Sequence, residues 1–284
     1  MIELNHLSTI IKKTPILHDI SFSVKDGEFV ALVGPNGAGK TTLLKHLNGL
    51  LKPTSGSVRI CGHDTARTKT SELAKRVGFL FQNPDQQLLC TTVRDEITFG
   101  LRHCGVPNAE WESRIERAAG QVDLAEKLEA DPLMLTRSRR QRVALASVLV
   151  LEPDVLILDE PTSAQDAAET NRIMRIARDL TREGKTVILV THDMELVAQY
   201  AHRVLVLIKG RIAADCSPAT LFADSALLRE ANLAAPGLYR LSNALNLAMP
   251  EPDSITTEAT SENDTMIAAL ADQVETRIRK EVSA

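Results

Sequence analysis

Aromatic residues are scarce in this chain of 284 residues, at 3% of positions. That leaves too few rings for a base-stacking surface of the kind that holds single-stranded nucleic acid. Positive charge is not in excess either: 33 Lys and Arg face 37 Asp and Glu, a formal net charge of −4. Bulk electrostatics therefore give no attraction to a phosphate backbone, and no nucleic-acid partner is expected. Four cysteines, Cys61, Cys90, Cys104 and Cys216, are widely spaced without a C-x-x-C pair. This argues against a zinc site or a disulfide framework and fits a reducing compartment. Long apolar runs are also missing. The longest, such as 143–151, fall far short of the ~20 residues that span a bilayer. Met1 to His6 lack the basic and apolar regions of a secretory leader. Any work at a membrane is then expected to go through a partner.

What is present is an ordinary globular balance, 44% hydrophobic and 25% charged, and one decisive motif. Gly34-Pro35-Asn36-Gly37-Ala38-Gly39-Lys40-Thr41 fits G-x-x-x-x-G-K-[ST], the phosphate-binding loop. It follows the apolar run Phe29 to Val33 and precedes a helical stretch from Thr41 through Thr42 to Leu47. That strand–loop–helix setting lets backbone N–H groups point at phosphate oxygens and adds the positive end of a helix dipole. Lys40 is expected to reach the β- and γ-phosphates, and the Thr41 hydroxyl to hold Mg²⁺. The chain is therefore expected to bind a nucleoside triphosphate with Mg²⁺.

Patterning along the chain gives the fold class. Residues 1–33 alternate apolar and polar and read as β-rich. Short strands are expected at 57–60 and 77–81. Residues 91–150 read as mostly helical. Val155 to Leu158 and Thr186 to Val190 are continuous apolar runs, as in parallel strands covered on both faces, with a helical crossover over 166–182 between them. The expectation is an α/β fold: a P-loop NTPase core with a parallel sheet, an N-terminal β-rich subdomain and an inserted helical subdomain.

Three strand ends add chemistry. The run ending in Asp159-Glu160 can place Asp159 on the Mg²⁺ shell, and Glu160 could polarise a water for attack on the γ-phosphate. His192 ends the next strand, where it can contact the γ-phosphate or that water. Gln82, in the loop Phe81 to Leu88, could reach both Mg²⁺ and the water.

Together these pieces resemble the nucleotide-binding subunit of an ABC transporter. The loop at 34–41, Gln82, Asp159-Glu160, the loop Ser163-Ala164-Gln165-Asp166 and His192 occur in the family's order over residues 1 to about 215. The loop Phe81 to Leu88 and the segment Leu227 to Leu233, followed by Pro236 and Leu241, further resemble the energy-coupling-factor importers, which take up vitamins or ions such as cobalt and nickel. The resemblance implies an ABC nucleotide-binding domain over 1–248. Within it lie a helical subdomain at about 83–150 and a C-terminal extension at about 216–248. An acidic linker at 249–265 and an amphipathic helix at 266–284 follow. The helix carries Ile267, Leu270, Ala271, Val274 and Ile278 on one face, to dock on its own domain or on a second subunit. The resemblance also implies a peripheral location on the cytoplasmic face of the cell membrane. Its partners would be a transmembrane coupling subunit, docked near Gln82 to Thr92, and a second ABC ATPase subunit closing head-to-tail around two ATP molecules.

The sequence departs from the family in three places. Where the family signature reads L-S-G-G-Q, this chain has Leu135-Thr136-Arg137-Ser138-Arg139. Both glycines are gone from the stretch donated to the other subunit's nucleotide. Arg137 and Arg139 could offer charge to phosphate; the reading adopted is that this donated half-site is lost. Ile11 stands where an aromatic often stacks on adenine, giving apolar contact without stacking. Gln165 replaces the usual Leu. The residues serving the chain's own ATP look complete, so a heterodimer with a partner bearing an intact signature is expected over a homodimer. The alternative is a weakly hydrolysing regulatory subunit. A ribosome- or DNA-directed ABC protein is disfavoured, because the chain has one nucleotide domain and no sustained heptads.

Overall fold

The computed structural model describes residues 1–245 and residue 273. Apart from residue 273, the linker expected at 249–265 and the helix expected at 266–284 lie outside the described residues. Two sheets carry the fold. β1 (Ile2–Ile11) and β2 (Thr14–Val24) form an antiparallel hairpin, and β3 (Phe29–Val33) leads through the glycine loop into α1 (Lys40–Leu47). β4 (Ser55–Ile60) and the two-residue β5 (His63–Asp64) follow, then α2 (Thr70–Leu73) and β6 (Val77–Leu80). Next come α3 (Val93–His103), α4 (Trp111–Gln121) and α5 (Arg137–Leu149). The chain then alternates through β7 (Val155–Asp159), α6 (Ala167–Arg182), β8 (Thr186–Val190), α7 (Met194–Tyr200) and β9 (Arg203–Ile208). It continues through β10 (Arg211–Cys216), α8 (Pro218–Ala223), α9 (Ser225–Glu230) and α10 (Gly237–Leu245).

The first sheet is antiparallel in the order β2-β1-β4-β5. The second has the order β10-β9-β3-β8-β7-β6, parallel except for β10 at one edge. β3 and β8 are buried at every residue, which is why their sequences are unbroken apolar runs rather than alternations. One face of the parallel sheet packs on the β1/β2 sheet and α1 through Leu4, Leu7, Leu32, Leu43 and Ile188. The other packs on α3, α5 and α6 through Phe29, Ile97, Leu145, Leu158 and Met174.

The 91–150 stretch expected to be mostly helical resolves into α3, α4 and α5, separated by short 3-10 turns. The breaks fall at Gly105, whose φ of 68° ends α3, and at Pro107 and Pro132, which supply no N–H to a continuing helix. Thr92 starts α3 by accepting a hydrogen bond from the N–H of Asp95 at 3.0 Å.

α1 is tied to the antiparallel sheet by a buried contact. Nε2 of His46, fully enclosed, lies 2.7 Å from Oγ1 of Thr9 on β1. Burial pushes the His46 imidazole below its ordinary pKa of 6.5. The unfolded chain therefore takes up this proton first. The stability His46 contributes is full above that ordinary value and declines as the pH falls through it toward the lower folded-state value. In urea unfolding between pH 7 and 5, the wild type should lose stability more steeply than His46→Gln. Equal slopes would show that His46 titrates alike in both states.

Candidate functional site

Four strands of the parallel sheet end on one edge, and each delivers a polar group there. β3 runs into the glycine loop, β6 into the loop of Gln82, β7 into Asp159-Glu160 and β8 into Thr191-His192. The C-terminal edge of such a sheet is where α/β folds bind ligands.

The loop is held in shape by what surrounds it. Gly34 has φ 142°, and a Cβ there would collide with the carbonyl oxygen of Leu207 on β9. The carbonyl of Ala38 accepts a hydrogen bond from the N–H of Gly210 at 3.0 Å. Gly39 caps α1 in the left-handed region, at φ 106°, without a side-chain acceptor. The first N–H groups of α1 are thus left to an external anion. Nζ of Lys40 is buried and donates to the carbonyls of Gly34 at 2.7 Å and Pro35 at 3.0 Å. Thr41 and Thr42 continue the first turn of α1, with Thr41 exposed and Asn36 and Gly37 exposed at the loop tip. Gly34→Ala should destabilise the fold by about 3 kcal/mol, combining backbone strain with overpacking. Urea unfolding with a midpoint like the wild type's would show that β9 can yield.

Across the edge, Glu160 sits at the tip of β7 in the left-handed region, at φ 48°, with its N–H donated to the carbonyl of Val190 at 2.9 Å. The Glu160 carboxylate is gripped from two sides. Nε2 of Gln82 donates to Oε2 at 2.6 Å, and Nε2 of His192 lies 2.5 Å from Oε1. The structure thus gathers Gln82, Glu160 and His192 into one cluster. Asp159, half-buried beside them, is pushed above the usual carboxylate range by burial and by the charge of Glu160, against the pull of Lys40 and Lys45. Lys40 is pushed below its usual range by burial, with Glu160 and Asp159 opposing.

These observations fit a nucleoside triphosphate and Mg²⁺. A buried cation and unclaimed helix N–H groups face two carboxylates, one of them short of positive charge. Among the described residues no group of three or more His, Cys, Asp or Glu could hold a metal alone. Mg²⁺ takes one or two carboxylates and completes its shell with phosphates and water. Thr41, Gln82 and Asp159 are among the residues that bring side-chain oxygens to this edge.

A family model described as ABC transporter matches residues 17–163. The chain is 40% identical, over 92% of its own length and 85% of the relative's, to the energy-coupling factor transporter ATP-binding protein EcfA of Methanothermobacter thermautotrophicus. The chain belongs to the ABC transporter family. The EcfA protein of Methanocaldococcus jannaschii is 41% identical over 82% of this chain and 84% of its own length. A putative ABC transporter ATP-binding protein of Caldanaerobacter subterraneus is 43% identical over 82% of this chain; the chain spans only 41% of that relative. Among solved structures, cbiO1 from Clostridium perfringens, described as part of the ABC transporter complex cbiONQ, superposes with a TM-score of 0.72 at 32% identity. The match covers 87% of this chain and 98% of that one. A dimeric ATP-binding cassette in a post-hydrolysis state with ADP and Pi superposes at 0.69 and 28% identity, covering 77% of this chain and 99% of that one.

As an ABC ATPase, the chain uses ATP with Mg²⁺ on an α/β core. The stretch where its sequence departs from the family, Leu135 to Arg139, forms the start of α5. Thr136 caps the helix, its hydroxyl 3.4 Å from the N–H of Arg139, and Arg137 is already helical. Arg137 and Arg139 are exposed on this first turn, which holds no acidic residue. Cations at a helix N-terminus oppose its dipole, so this tip is electrostatically unlike a glycine signature. Ile11, at the end of β1, is half-buried beside the Lys12-Lys13 turn. Three interactions had no sequence signal because they join distant residues without periodicity. They are the Thr9–His46 contact, the ion pair of Arg142 with Glu169 at 3.4 Å, and that of Arg140 with Asp85 at 2.9 Å.

Proposed function

We propose that this chain is the ATP-hydrolysing subunit of an energy-coupling-factor importer for metal ions or vitamins, peripheral on the cytoplasmic face of the membrane. The observation that carries hydrolysis is Glu160, held between Gln82 and His192 one residue beyond Asp159. Lys40 and the N–H groups of Gly37 to Thr42 bind the phosphates, and Ile11 gives the base an apolar contact. Thr41, Gln82 and Asp159 would hold Mg²⁺, which would neutralise charge on the bound phosphates. Glu160 is the general base for the attacking water, and His192 orients Glu160 toward it.

The membrane partner is a transmembrane coupling subunit. No described helix of this chain is long and apolar enough to cross a membrane. A cavity of about 390 Å³ opens between α2, β6, α3 and α5, lined by Leu50, Phe79, Phe81, Leu89, Phe99 and Leu151. Leu89 is 74% exposed there and Leu50 53%, which suits an apolar partner helix. Gln82 lies one residue from Phe81 in that wall, so a docked helix would act on the catalytic loop.

The second reading concerns the other ATPase subunit. Arg137, Ser138 and Arg139 put side chains where the family brings bare backbone to the opposing nucleotide. This favours a heterodimer whose working site joins this chain's Lys40 and Glu160 to a partner's intact signature. A regulatory subunit with scant turnover is the alternative. Steady-state ATP hydrolysis by the purified chain alone, with Glu160→Gln as blank, tests it. Activity at blank that appears on adding a second ABC subunit is the expected result; full turnover without a partner would overturn the heterodimer.

A further inference from the structure

The guanidinium of Arg140 stands where three segments meet. Its Nε lies 2.9 Å from Oδ1 of Asp85, in the single 3-10 turn Pro84–Gln86 just after Gln82. Its Nη1 donates to the carbonyl of Leu135 at 3.0 Å and lies 3.5 Å from that of Leu133, in the segment that feeds the capped start of α5. Arg140 itself belongs to the first turn of α5. The same loop is joined to α5 again further along. Nε2 of Gln87 donates to the carbonyl of Ala144 at 2.9 Å and lies 3.3 Å from Oγ of Ser147. The amide of Gln141 reaches the carbonyl of Phe81 at 3.5 Å. The exposed Gln82 is thus flanked by fastenings to one helix, at Phe81 on one side and at Asp85 and Gln87 on the other.

We infer that Arg140 is a positioning residue for ATP hydrolysis, fastening the Gln82 loop to α5 so that Gln82 stays on the Glu160 carboxylate. This rests on the assignment of Glu160 as the base. A loop built on one 3-10 turn has little stability of its own and opens locally unless something outside it holds it. Arg suits the task because its guanidinium charge lies against the Asp85 carboxylate while Nη1 donates to the carbonyl of Leu135. The Asp85 side chain is 50% exposed and that of Arg140 22%, so the pair adds little to global stability. Its effect is local order.

Hydrogen exchange of the full chain tests this, using Arg140→Gln, Asp85→Asn and the charge swap Asp85→Arg/Arg140→Asp. The swap places an acid in the first turn of α5, where the helix dipole favours it. In each single variant, amides of residues 82–88 should exchange about two- to fivefold faster, the scale of a partly exposed ion pair, while those of α1 and α6 stay unchanged. The swap should return the loop to the wild-type rate. In the assembled ATPase dimer, kcat should fall by about the same factor in the single variants and recover in the swap, with KM for ATP constant throughout. Unchanged exchange in both single variants, or a swap as fast as they are, overturns the fastening. Faster exchange with unaltered kcat overturns its role in hydrolysis. Glu160→Gln is measured beside them: retained turnover there removes the base assignment alone, because loop exchange reports on Arg140 independently.

Discussion

Glu160→Gln should lower ATP turnover by roughly 10²–10⁴-fold, the range of a positioned general base, and leave ATP affinity within about threefold of wild type. The amide is nearly the size of the carboxylate, and it sits among the same two neighbours, Gln82 at 2.6 Å and His192 at 2.5 Å. What it loses is the capacity to accept a proton from water. Binding is spared because Lys40 and the N–H groups at the start of α1 are untouched. Asp159 is pushed up by burial and, after it, by the Glu160 charge, so removing that charge favours its ionised form. Nucleotide would then accumulate unhydrolysed, and the dimer would stay closed. Single-turnover hydrolysis and equilibrium binding of a fluorescent ATP analogue measure the two parts separately. Wild-type turnover in this variant would remove Glu160 from the role of base.

Lys40→Ala should weaken ATP binding by about 10²-fold or more. A hydrogen bond from a charged donor contributes about 1.5–3 kcal/mol, and Lys40 can offer more than one to the phosphates. Its ammonium is already desolvated in the loop, where it donates to the carbonyls of Gly34 and Pro35. Less hydration therefore has to be stripped from it when phosphate arrives. Global stability should change little, since the variant removes a buried, desolvated charge and leaves the glycine geometry intact. Isothermal titration with ATP and Mg²⁺ checks the affinity, and urea unfolding checks the fold. A dissociation constant within threefold of wild type would sink the phosphate assignment for Lys40.

The strands that frame the site could be read from sequence because their burial is total. Thr186 to Val190 is an unbroken apolar and β-branched run, and β8 has those bounds. Val155 to Leu158 needed one more residue, Asp159, because the ladder with β8 continues through the Asp159–Val190 pair. The helix expected from 166 begins at Ala167, since Asp166 serves as its cap and accepts from the N–H of Glu169 at 2.9 Å. Gln82 and His192 were legible as polar strand ends. Their convergence on Glu160 was not, because it depends on β6, β7 and β8 being neighbours in the sheet. The breaks in the 91–150 block were visible as Gly105, Pro107 and Pro132, yet helical periodicity on both sides masked them. Asp85 and Arg140 gave no signal at all: each is an exposed or half-exposed charge of the sort that usually faces water.

The order of the parallel sheet also governs when the site can exist. β3 lies between β8 and β9, pairing Phe29 to Leu32 with Val187 to Val190 and Val30 to Val33 with Arg203 to Val206. During synthesis the strand bearing the glycine loop must therefore wait for most of the ordered chain to emerge before either flank is satisfied. Such long-range parallel closures are slow, and they expose apolar edges meanwhile. A fragment ending at residue 163 would contain every residue from Gly34 to Glu160 and still lack both neighbours of β3. The glycine loop is therefore framed on both sides only once β8 and β9 have joined β3.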